Sequence, residues 1–197
     1  MVERRCAEEG TDFEWTPEGG LHFRTPAGEV TMTPDATVLA FTFLLSLATG
    51  VAIAATMEGM RALLVEVQAL VDDSQLGNPR RVAVGLDQNR LAMLLAVLHR
   101  HGGVATMGMD VFLNVVGGVK VLETGSDLAV LTAVVSSLRN RALDNRLIAF
   151  GEVGLSGEIR PVPNGEERLK EAATHGFRRA IVPRPFMRVF TSRGLPV

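Results

Sequence analysis

Residues 111–163 read VFLNVVGGVKVLETGSDLAVLTAVVSSLRNRALDNRLIAFGEVGLSGEIRPVP, and this stretch decides the fold. It begins with a β-branched and aromatic run, VFLNVV, which Gly117 and Gly118 close, a pattern typical of a buried strand followed by a tight turn. Residues 147–153, LIAFGEV, predict a second strand. The glycines of GLSGE predict a turn into EIRPV (158–162), so these two segments should form a hairpin.

A helix is predicted between the first strand and this hairpin. Ser126 is a suitable N-cap residue, and Asp127 places a negative charge in the first turn. Apolar residues then recur at helical spacing, at Leu128, Leu131, Val135 and Leu138. The polar run 139–145 ends the helix. Strand, helix and hairpin together predict an α/β core.

The flanking residues extend this pattern. Residues 51–56 and 62–67 predict paired strands that turn at Glu58 and Gly59, and the second strand continues to Asp72 and Asp73. Asp87 predicts the N-cap of a helix through Arg100, with an apolar stripe at Leu91, Leu94, Leu95 and Leu98 and a stop at Gly102 and Gly103.

The last elements complete the predicted sheet. Asn164 and Glu167 resemble a capping box at the start of a helix that ends near Gly176, and its inner face is Leu169, Ala172 and Ala173. FRRAIVP (177–183) predicts a strand. The alternation of strands and helices predicts an α/β fold with a mixed sheet and packed helices.

Charge is distributed unevenly along the chain. The net charge is −2, so the total charge of the chain gives no argument for nucleic-acid binding. Residues 1–35 hold eight acidic and three basic side chains, whereas residues 111–197 hold twelve basic and eight acidic ones. A site for a polyanion is therefore expected in the second half of the chain or at Arg80 and Arg81.

Residue usage excludes several kinds of site. Cys6 is the only cysteine, which excludes an internal disulfide and a CxxC zinc site. Lys120 and Lys170 are the only lysines, and neither lies in a GxxxxGK[ST] phosphate-binding loop. His99 and His101 lack the i, i+4 spacing of a helical metal pair, so no metal is expected. No signal peptide is recognisable in MVERRCAEEG, which indicates a reducing compartment.

Residues 36–57 contain no charged side chain, and these 22 positions are long enough to span a bilayer. Threonine content and the missing basic flank speak against a membrane helix. We expect residues 51–56 to form the first strand instead, and residues 36–47 to form an apolar strand or helix outside the membrane.

Three segments carry a family resemblance: LLVEVQALVDDSQLGNPRRVAVGLDQNRLAMLLAVLHRHGG, GGVKVLETGSDLA and FGEVGLSGEIRPVPNGEERLKEAATHGFRRAIVP. They resemble the C-terminal Lon-protease-like domain of the bacterial DNA repair protein RadA, also called Sms. The resemblance implies a Lon-protease-like fold of the ribosomal protein S5 domain 2-like type. It also implies a divergent N-terminal segment at 1–49, the Lon-like domain at 50–183 and a divergent tail at 184–197.

The resemblance further implies a function. In this family the domain follows a zinc finger and a RecA-like, DNA-dependent ATPase, helps to build a hexameric ring, and binds single-stranded or branched DNA during cytoplasmic recombinational repair. The recombinase RecA is a further expected partner. ATP, Mg²⁺ and Zn²⁺ belong to the other family domains, so no cofactor is expected in this chain. The alternative is a degenerate Lon-type peptidase relic or a protein-interaction module without a DNA role.

The family relation to Lon peptidases raises the question of catalysis. Those enzymes cleave with a serine at a helix start and a lysine that activates its hydroxyl. The resemblance places Gly125 at the nucleophile position and Glu166 at the lysine position. Ser126 and Lys170 are the nearest residues of the right types, but Lys170 is displaced by one helical turn, about 5 Å. We therefore predict no peptidase activity.

Residues that match family motifs and carry positive charge are candidates for phosphate contacts. They are Lys120 in GGVKV, Arg80 and Arg81 in NPRRVAVG, and Arg178 and Arg179 in FRRAIVP. Lys120 is the first choice, because it follows two glycines and precedes a helix N-terminus. The chain has no tyrosine and one tryptophan, so phosphate contacts rather than base stacking are expected.

Overall fold

The computed structural model describes residues 12–15, 21–25, 28–32, 49–59, 61–75 and 78–186. The chain divides into two compact units, residues 1–45 and residues 46–197. The first unit contains an antiparallel sheet of three strands, β1 (Asp12–Trp15), β2 (Leu21–Thr25) and β3 (Gly28–Met32), in that order. The apolar segment 36–47 lies outside the described residues, and so does most of the tail predicted at 184–197.

The second unit is an α/β structure. Its strands are β4 (Thr49–Glu58), β5 (Arg61–Asp73), β6 (Arg81–Val84), β7 (Met109–Val115), β8 (Leu147–Ala149), β9 (Glu152–Val153), β10 (Ile159–Arg160) and β11 (Arg179–Ile181). Its helices are α1 (Gln88–Gly102), α2 (Asp127–Leu138) and α3 (Gly165–Thr174). Among the described residues, no helix has the length and hydropathy needed to cross a bilayer.

Six strands form one mixed sheet in the order β11-β8-β4-β5-β7-β6. The predicted hairpin at its centre is confirmed, because β4 and β5 pair antiparallel with Glu58 opposite Arg61 around Gly59. β5 also pairs antiparallel with β7, whereas β6, β8 and β11 join the sheet as parallel neighbours. The prediction of a mixed sheet with packed helices is therefore confirmed.

Helices pack on both faces of the sheet, although Leu70 of β5 and Val82 and Val84 of β6 stay exposed. Successive side chains of a strand point to opposite faces. Ala54 accordingly belongs to the core that α1 and α2 cover, and its neighbour Ala55 belongs to a second core under α3. Leu91 and Leu94 of α1 are buried in the first core as predicted, and Leu169 of α3 is buried in the second.

Gly50 explains how closely α2 packs on β4. A Cβ atom at this position would lie 1.9 Å from the Ala133 carbonyl oxygen and 2.6 Å from the Ser137 amide nitrogen. The strand backbone therefore rests directly against the helix backbone. Ser137 strengthens this contact from the helix side, since its hydroxyl accepts a hydrogen bond of 3.0 Å from the Val71 amide in β5.

The predicted strand at 147–153 is wrong in one respect, because it divides into two. β8 ends at Ala149, and Gly151, with φ of 150°, turns the chain out of the six-stranded sheet. β9 then pairs only with β10, in register Val153 with Ile159. The predicted hairpin between these two segments is therefore confirmed, although its first strand is only two residues long.

All three predicted residues stand at the N-cap positions of their helices, but only one of them makes the cap hydrogen bond. Asp87 caps α1 as predicted, since its Oδ1 accepts a hydrogen bond of 2.8 Å from the Arg90 amide. Ser126 makes no cap bond, because it already has helical backbone angles within a short 3₁₀ turn, Thr124–Ser126, that precedes α2. Asn164 makes none either, because it adopts a left-handed backbone with φ of 57°.

Candidate functional site

The two positions that the resemblance matches to the peptidase dyad, Gly125 and Glu166, carry no nucleophile and no lysine. Gly125 is buried, and Glu166 on the first turn of α3 is exposed. The nearest serine and lysine do not replace them: Ser126 is 1% exposed and its hydroxyl lies 3.4 Å from the Glu123 carbonyl oxygen, while Lys170 is exposed to solvent. The hydroxyl and the amine therefore face different environments.

An ion pair between a buried arginine and a partly exposed glutamate occupies the space beside Gly125. Arg168 of α3 is fully buried, and its guanidinium donates to both carboxylate oxygens of Glu123 at 2.7 Å. A Cβ atom at Gly125 would lie 2.9 Å from the Arg168 guanidinium and 3.1 Å from Glu123. The ion pair therefore fills the volume that a nucleophilic side chain would need.

Further hydrogen bonds satisfy this ion pair. Arg168 also donates to the carbonyl oxygens of Ala55, at 2.5 Å, and Pro163, at 3.2 Å, and Glu123 accepts from the Met57 amide at 2.9 Å. Burial alone would raise the pKa of Glu123, but the hydrogen bonds from Arg168 and Thr56 lower it. Glu123 is thus held as a carboxylate that ties α3 to β4, which is a structural role.

A fully buried carboxylate, Asp127, links the two helices α1 and α2. Asp127, at the start of α2, is fully buried and pairs with Arg90 of α1, and its Oδ2 accepts a hydrogen bond of 2.9 Å from the Val153 amide in β9. The Asp127 hydrogen bond raises the pKa of Arg90, against the lowering effect of burial. Asp127, the negative charge predicted in the first turn of α2, therefore connects α2 with α1 and β9.

Arg80 and Arg81 are committed to contacts within the domain. Arg80 binds both carboxylate oxygens of Asp110 through its side chain and backbone, and its guanidinium lies 5.1 Å from the centre of the Phe112 ring. These hydrogen bonds, from the Arg80 amide first, lower the pKa of Asp110. Arg81 donates to the carbonyl oxygens of Thr106 and Met109. The Arg80 side chain is thus bound to β7, and the Arg81 side chain is bound to the start of β7 and to the loop before it, so both are engaged within the domain.

Lys120 is exposed, in the loop that leads from β7 to α2. Gly117 and Gly118 before it have the positive φ values, 85° and 70°, expected of a glycine turn. The 3₁₀ turn at Thr124–Ser126 lies between Lys120 and α2, so Lys120 is not directly next to the N-terminus of that helix. It remains a candidate for a phosphate contact on its own.

Arg178 and Arg179 belong to a larger arginine surface, which we define as Arg139, Arg141, Arg146, Arg178 and Arg179. All five side chains are exposed. The chain brings them together because the amides of Arg178 and Arg179 donate to the Arg146 carbonyl oxygen at 3.0 and 3.1 Å. Asp144 is the one carboxylate paired with this group in the described part of the chain, at 3.3 Å from Arg179.

The C-terminus of α2 fixes the backbone of this surface. The Arg141 amide donates to the Ser136 carbonyl oxygen at 3.1 Å and the Asn140 amide to that of Ser137 at 3.0 Å, with Asn140 left-handed at φ 47°. This is the Schellman pattern of helix termination. The Ser136 hydroxyl donates back to the Arg141 carbonyl oxygen at 2.6 Å, so Arg139 and Arg141 project from a well-anchored turn.

Comparison with known proteins identifies the domain. Over 134 residues, 68% of this chain, it is 74% identical to the DNA repair protein RadA of Pseudomonas aeruginosa, and it is 69% identical to the Escherichia coli protein of the same name over 134 residues. RadA of Helicobacter pylori is 47% identical over 135 residues. The matched part of the chain is a RadA-type domain. The family model described as subunit ChlI of Mg-chelatase also matches, over residues 96–185.

The RadA-type match confirms the resemblance inferred from sequence. The chain spans 30% of the length of the Pseudomonas aeruginosa and Helicobacter pylori proteins and 29% of the Escherichia coli protein. What those longer proteins do as a whole therefore enters only as a proposal. Among the described residues, no three or more His, Cys, Asp or Glu side chains form a group that could hold a metal ion.

Sequence reasoning missed three members of the arginine surface. Arg139, Arg141 and Arg146 lie in the run RNRALDNR, which ends α2 and precedes β8. The sequence pattern indicates only a helix stop in this run. Three arginines within eight residues were the available signal, but their proximity to Arg178 and Arg179 depends on the parallel pairing of β11 with β8.

Proposed function

We propose that this chain is a non-catalytic, RadA-type scaffold domain that acts in DNA repair by binding DNA through phosphate contacts. The observation that carries the proposal is the arginine surface, in which five exposed arginines are opposed by a single paired carboxylate, Asp144, within the described residues. Phosphate contacts need cationic side chains but no particular base-reading geometry. The RadA name of the relatives supports the DNA repair context.

The same proposal includes assembly into a hexamer, a cytoplasmic location, a preference for single-stranded or branched DNA, and RecA as a partner. A single domain with a few phosphate contacts binds weakly, and a ring of several copies would raise avidity. The expectation that this chain holds no ATP, Mg²⁺ or Zn²⁺ also stays a prediction.

We choose Arg146 and Arg178 for the test, because both are exposed and neither side chain forms a salt bridge within the described ranges, although the backbone amide of Arg146 donates to Asp144. Fluorescence anisotropy at several salt concentrations tests this with Arg146→Ala and Arg178→Ala. Each phosphate contact that a substitution removes should lower the slope of log affinity against log salt by about 0.9 for duplex or about 0.7 for single-stranded DNA.

Arg160→Ala is the matched control, because Arg160 is equally exposed but pairs with Glu158 and Glu152 on the β9–β10 hairpin. It should leave the slope unchanged. Lys120→Ala tests the first choice from the sequence in the same assay. Equal slopes for wild type, Arg146→Ala and Arg178→Ala would remove the arginine surface from the proposal.

The non-catalytic part of the proposal is tested with unfolded casein. We expect no cleavage by the wild type and none by Gly125→Ser, since the Glu123–Arg168 ion pair occupies the space around a side chain at position 125. Cleavage that disappears in Ser126→Ala would instead favour a working peptidase.

A further inference from the structure

A cleft of about 450 Å³ lies beside α2, between its last two turns, the loop that follows it and β11. Four of its lining residues are aliphatic, Leu131 and Val135 of α2 together with Leu143 and Leu147, and we call these four the aliphatic floor. All four are partly exposed rather than buried, so the cleft presents apolar surface to solvent. Its volume falls in the range of about 300 to 1,000 Å³ that is usual for ligand pockets.

Three arginines also line the cleft, and we call them its rim. They are Arg139, Arg141 and Arg179, and Asp144 pairs with Arg179 at 3.3 Å. The side chains of Arg139 and Arg141 have no paired carboxylate within the described part of the chain. The Ser136 hydroxyl anchors the backbone of the turn that carries them, so the two arginines project from a fixed backbone beside the aliphatic residues.

We infer that this cleft binds a short acidic peptide of a partner protein, with one or two apolar side chains on the aliphatic floor and carboxylates on Arg139 and Arg141. The aliphatic floor would bury a leucine-sized side chain of the peptide. The arginines would donate charge-assisted hydrogen bonds to its carboxylates. Nucleic acid fits the floor less well, because the cleft lining has no aromatic ring on which a base could stack.

This inference does not depend on DNA binding by Arg146 and Arg178, which lie outside the cleft lining. It assigns the rim arginines to a protein partner and the outer arginines to phosphate. The two activities should therefore respond to different substitutions.

The test uses the whole chain and a set of fluorescein-labelled octapeptides in which Asp alternates with Leu, Ile, Val or Phe. Two matched sets serve as controls: one keeps the Asp residues and replaces the apolar residues with Ser, and the other keeps the apolar residues and replaces Asp with Asn. We expect binding by the first set only. Equal binding of the Asp and Ser set would reduce the cleft to a charge effect and overturn the inference.

Two variants locate the binding. Thr132→Trp places a large side chain in the cleft without a change of charge, since Thr132 lines it from α2. Arg141→Ala removes one rim charge. Each should weaken peptide binding by about tenfold or more. Both should melt as a single transition, and Arg160→Ala should bind peptide as the wild type does.

A single-stranded oligonucleotide provides the decisive comparison. We expect Thr132→Trp to leave its binding unchanged. If Thr132→Trp weakens oligonucleotide binding and leaves peptide binding intact, the cleft is a nucleic-acid site and the inference is wrong. If no peptide in the first set binds while DNA still binds through Arg146 and Arg178, the inference fails and the proposed function stands.

Discussion

At the scale of single residues, Arg168 determines how the space beside Gly125 is filled. A fully buried guanidinium is stable only when its donors are satisfied, and here they reach Glu123, Ala55 and Pro163. Sequence reasoning located Gly125 and Glu166 as degenerate positions but gave Arg168 no role. An arginine beside two glutamates on a short polar helix looks like solvated surface, and only the packing of α3 against β4 shows otherwise.

The Glu123–Arg168 pair should matter for stability. Glu123→Ala leaves a buried cation without its counterion, so we expect a loss of about 2 to 3 kcal/mol in the free energy of unfolding, less than for a fully buried pair because the carboxylate is 27% exposed. Urea denaturation at pH 7 measures this. A loss below about 0.5 kcal/mol would mean that the remaining hydrogen bonds satisfy Arg168 by themselves.

The same pair predicts a pH dependence. Because the pKa of Glu123 is lower in the folded than in the unfolded chain, its carboxylate contributes stability above the ordinary glutamate pKa, about 4.3. This contribution is lost as the pH falls through the lowered value. The stability difference between wild type and Glu123→Gln should therefore shrink on acidification, and denaturation at pH 7 and pH 3 checks it. A constant difference would contradict the assigned pKa direction.

Gly50 offers a test of backbone packing. A methyl group there would overlap the Ala133 carbonyl oxygen, so we expect Gly50→Ala to cost about 3 kcal/mol. Gly108→Ala is the control, because a Cβ atom at Gly108 meets nothing within 4 Å and its φ is not positive. Thermal melts of both variants give the comparison. Similar melting temperatures would mean that α2 can shift away from β4 at little cost.

At the scale of elements, the sequence predicted correctly those features that depend on contacts within a single helix. Asp87, the leucine stripe of α1 and Gly103 with φ of 65° act within one helix, and the sequence was sufficient there. Ser126 and Asn164 are good capping residue types, but their backbones follow tertiary constraints instead. The backbone of Gly151 takes part in one of these constraints, since its amide donates to the Gly125 carbonyl oxygen at 2.8 Å and its carbonyl accepts from the Leu128 amide at 3.3 Å.

Asn164 distinguishes a side-chain cap from a left-handed turn. If its backbone conformation is what matters, Asn164→Gly should stabilise the chain by about 0.5 kcal/mol and Asn164→Ser should destabilise it by about 1 kcal/mol. A side-chain cap predicts a neutral Asn164→Ser, because serine caps as well as asparagine does. Urea midpoints of the three proteins separate the two cases.

At the scale of the whole molecule, the uneven charge of the chain should modulate DNA binding. Residues 1–45 carry eight acidic and three basic side chains and form a separate compact unit. Their removal should raise DNA affinity by about two- to fivefold at low salt, and the gain should vanish near 0.5 M salt, where charges are screened within about 4 Å. Anisotropy with residues 46–197 measures it. A gain that persists at high salt would indicate a steric effect.

The arginine surface shows which part of a site the sequence could not supply. Arg178 and Arg179 match a family motif, whereas Arg80 and Arg81, candidates on the same ground, hold Asp110 and two backbone carbonyls. A charged residue in a motif can serve the fold or a ligand, and only its contacts distinguish the two. Arg139 and Arg141 could be assigned to this surface only after the structure had shown where α2 ends and how its Schellman turn directs the chain.

The parallel pairing of β8 with β4 has a consequence during synthesis of the chain. β4 and β5 can close their hairpin as soon as both have left the ribosome, but Ile53 must wait for Ile148, about 95 positions later. Until then the outer edge of β4 offers unpaired amides and carbonyls beside apolar side chains, which invites association with other nascent chains. The nascent chain is therefore most exposed to aggregation between completion of the hairpin and the arrival of β8, and binding of a chaperone would be most useful in that interval.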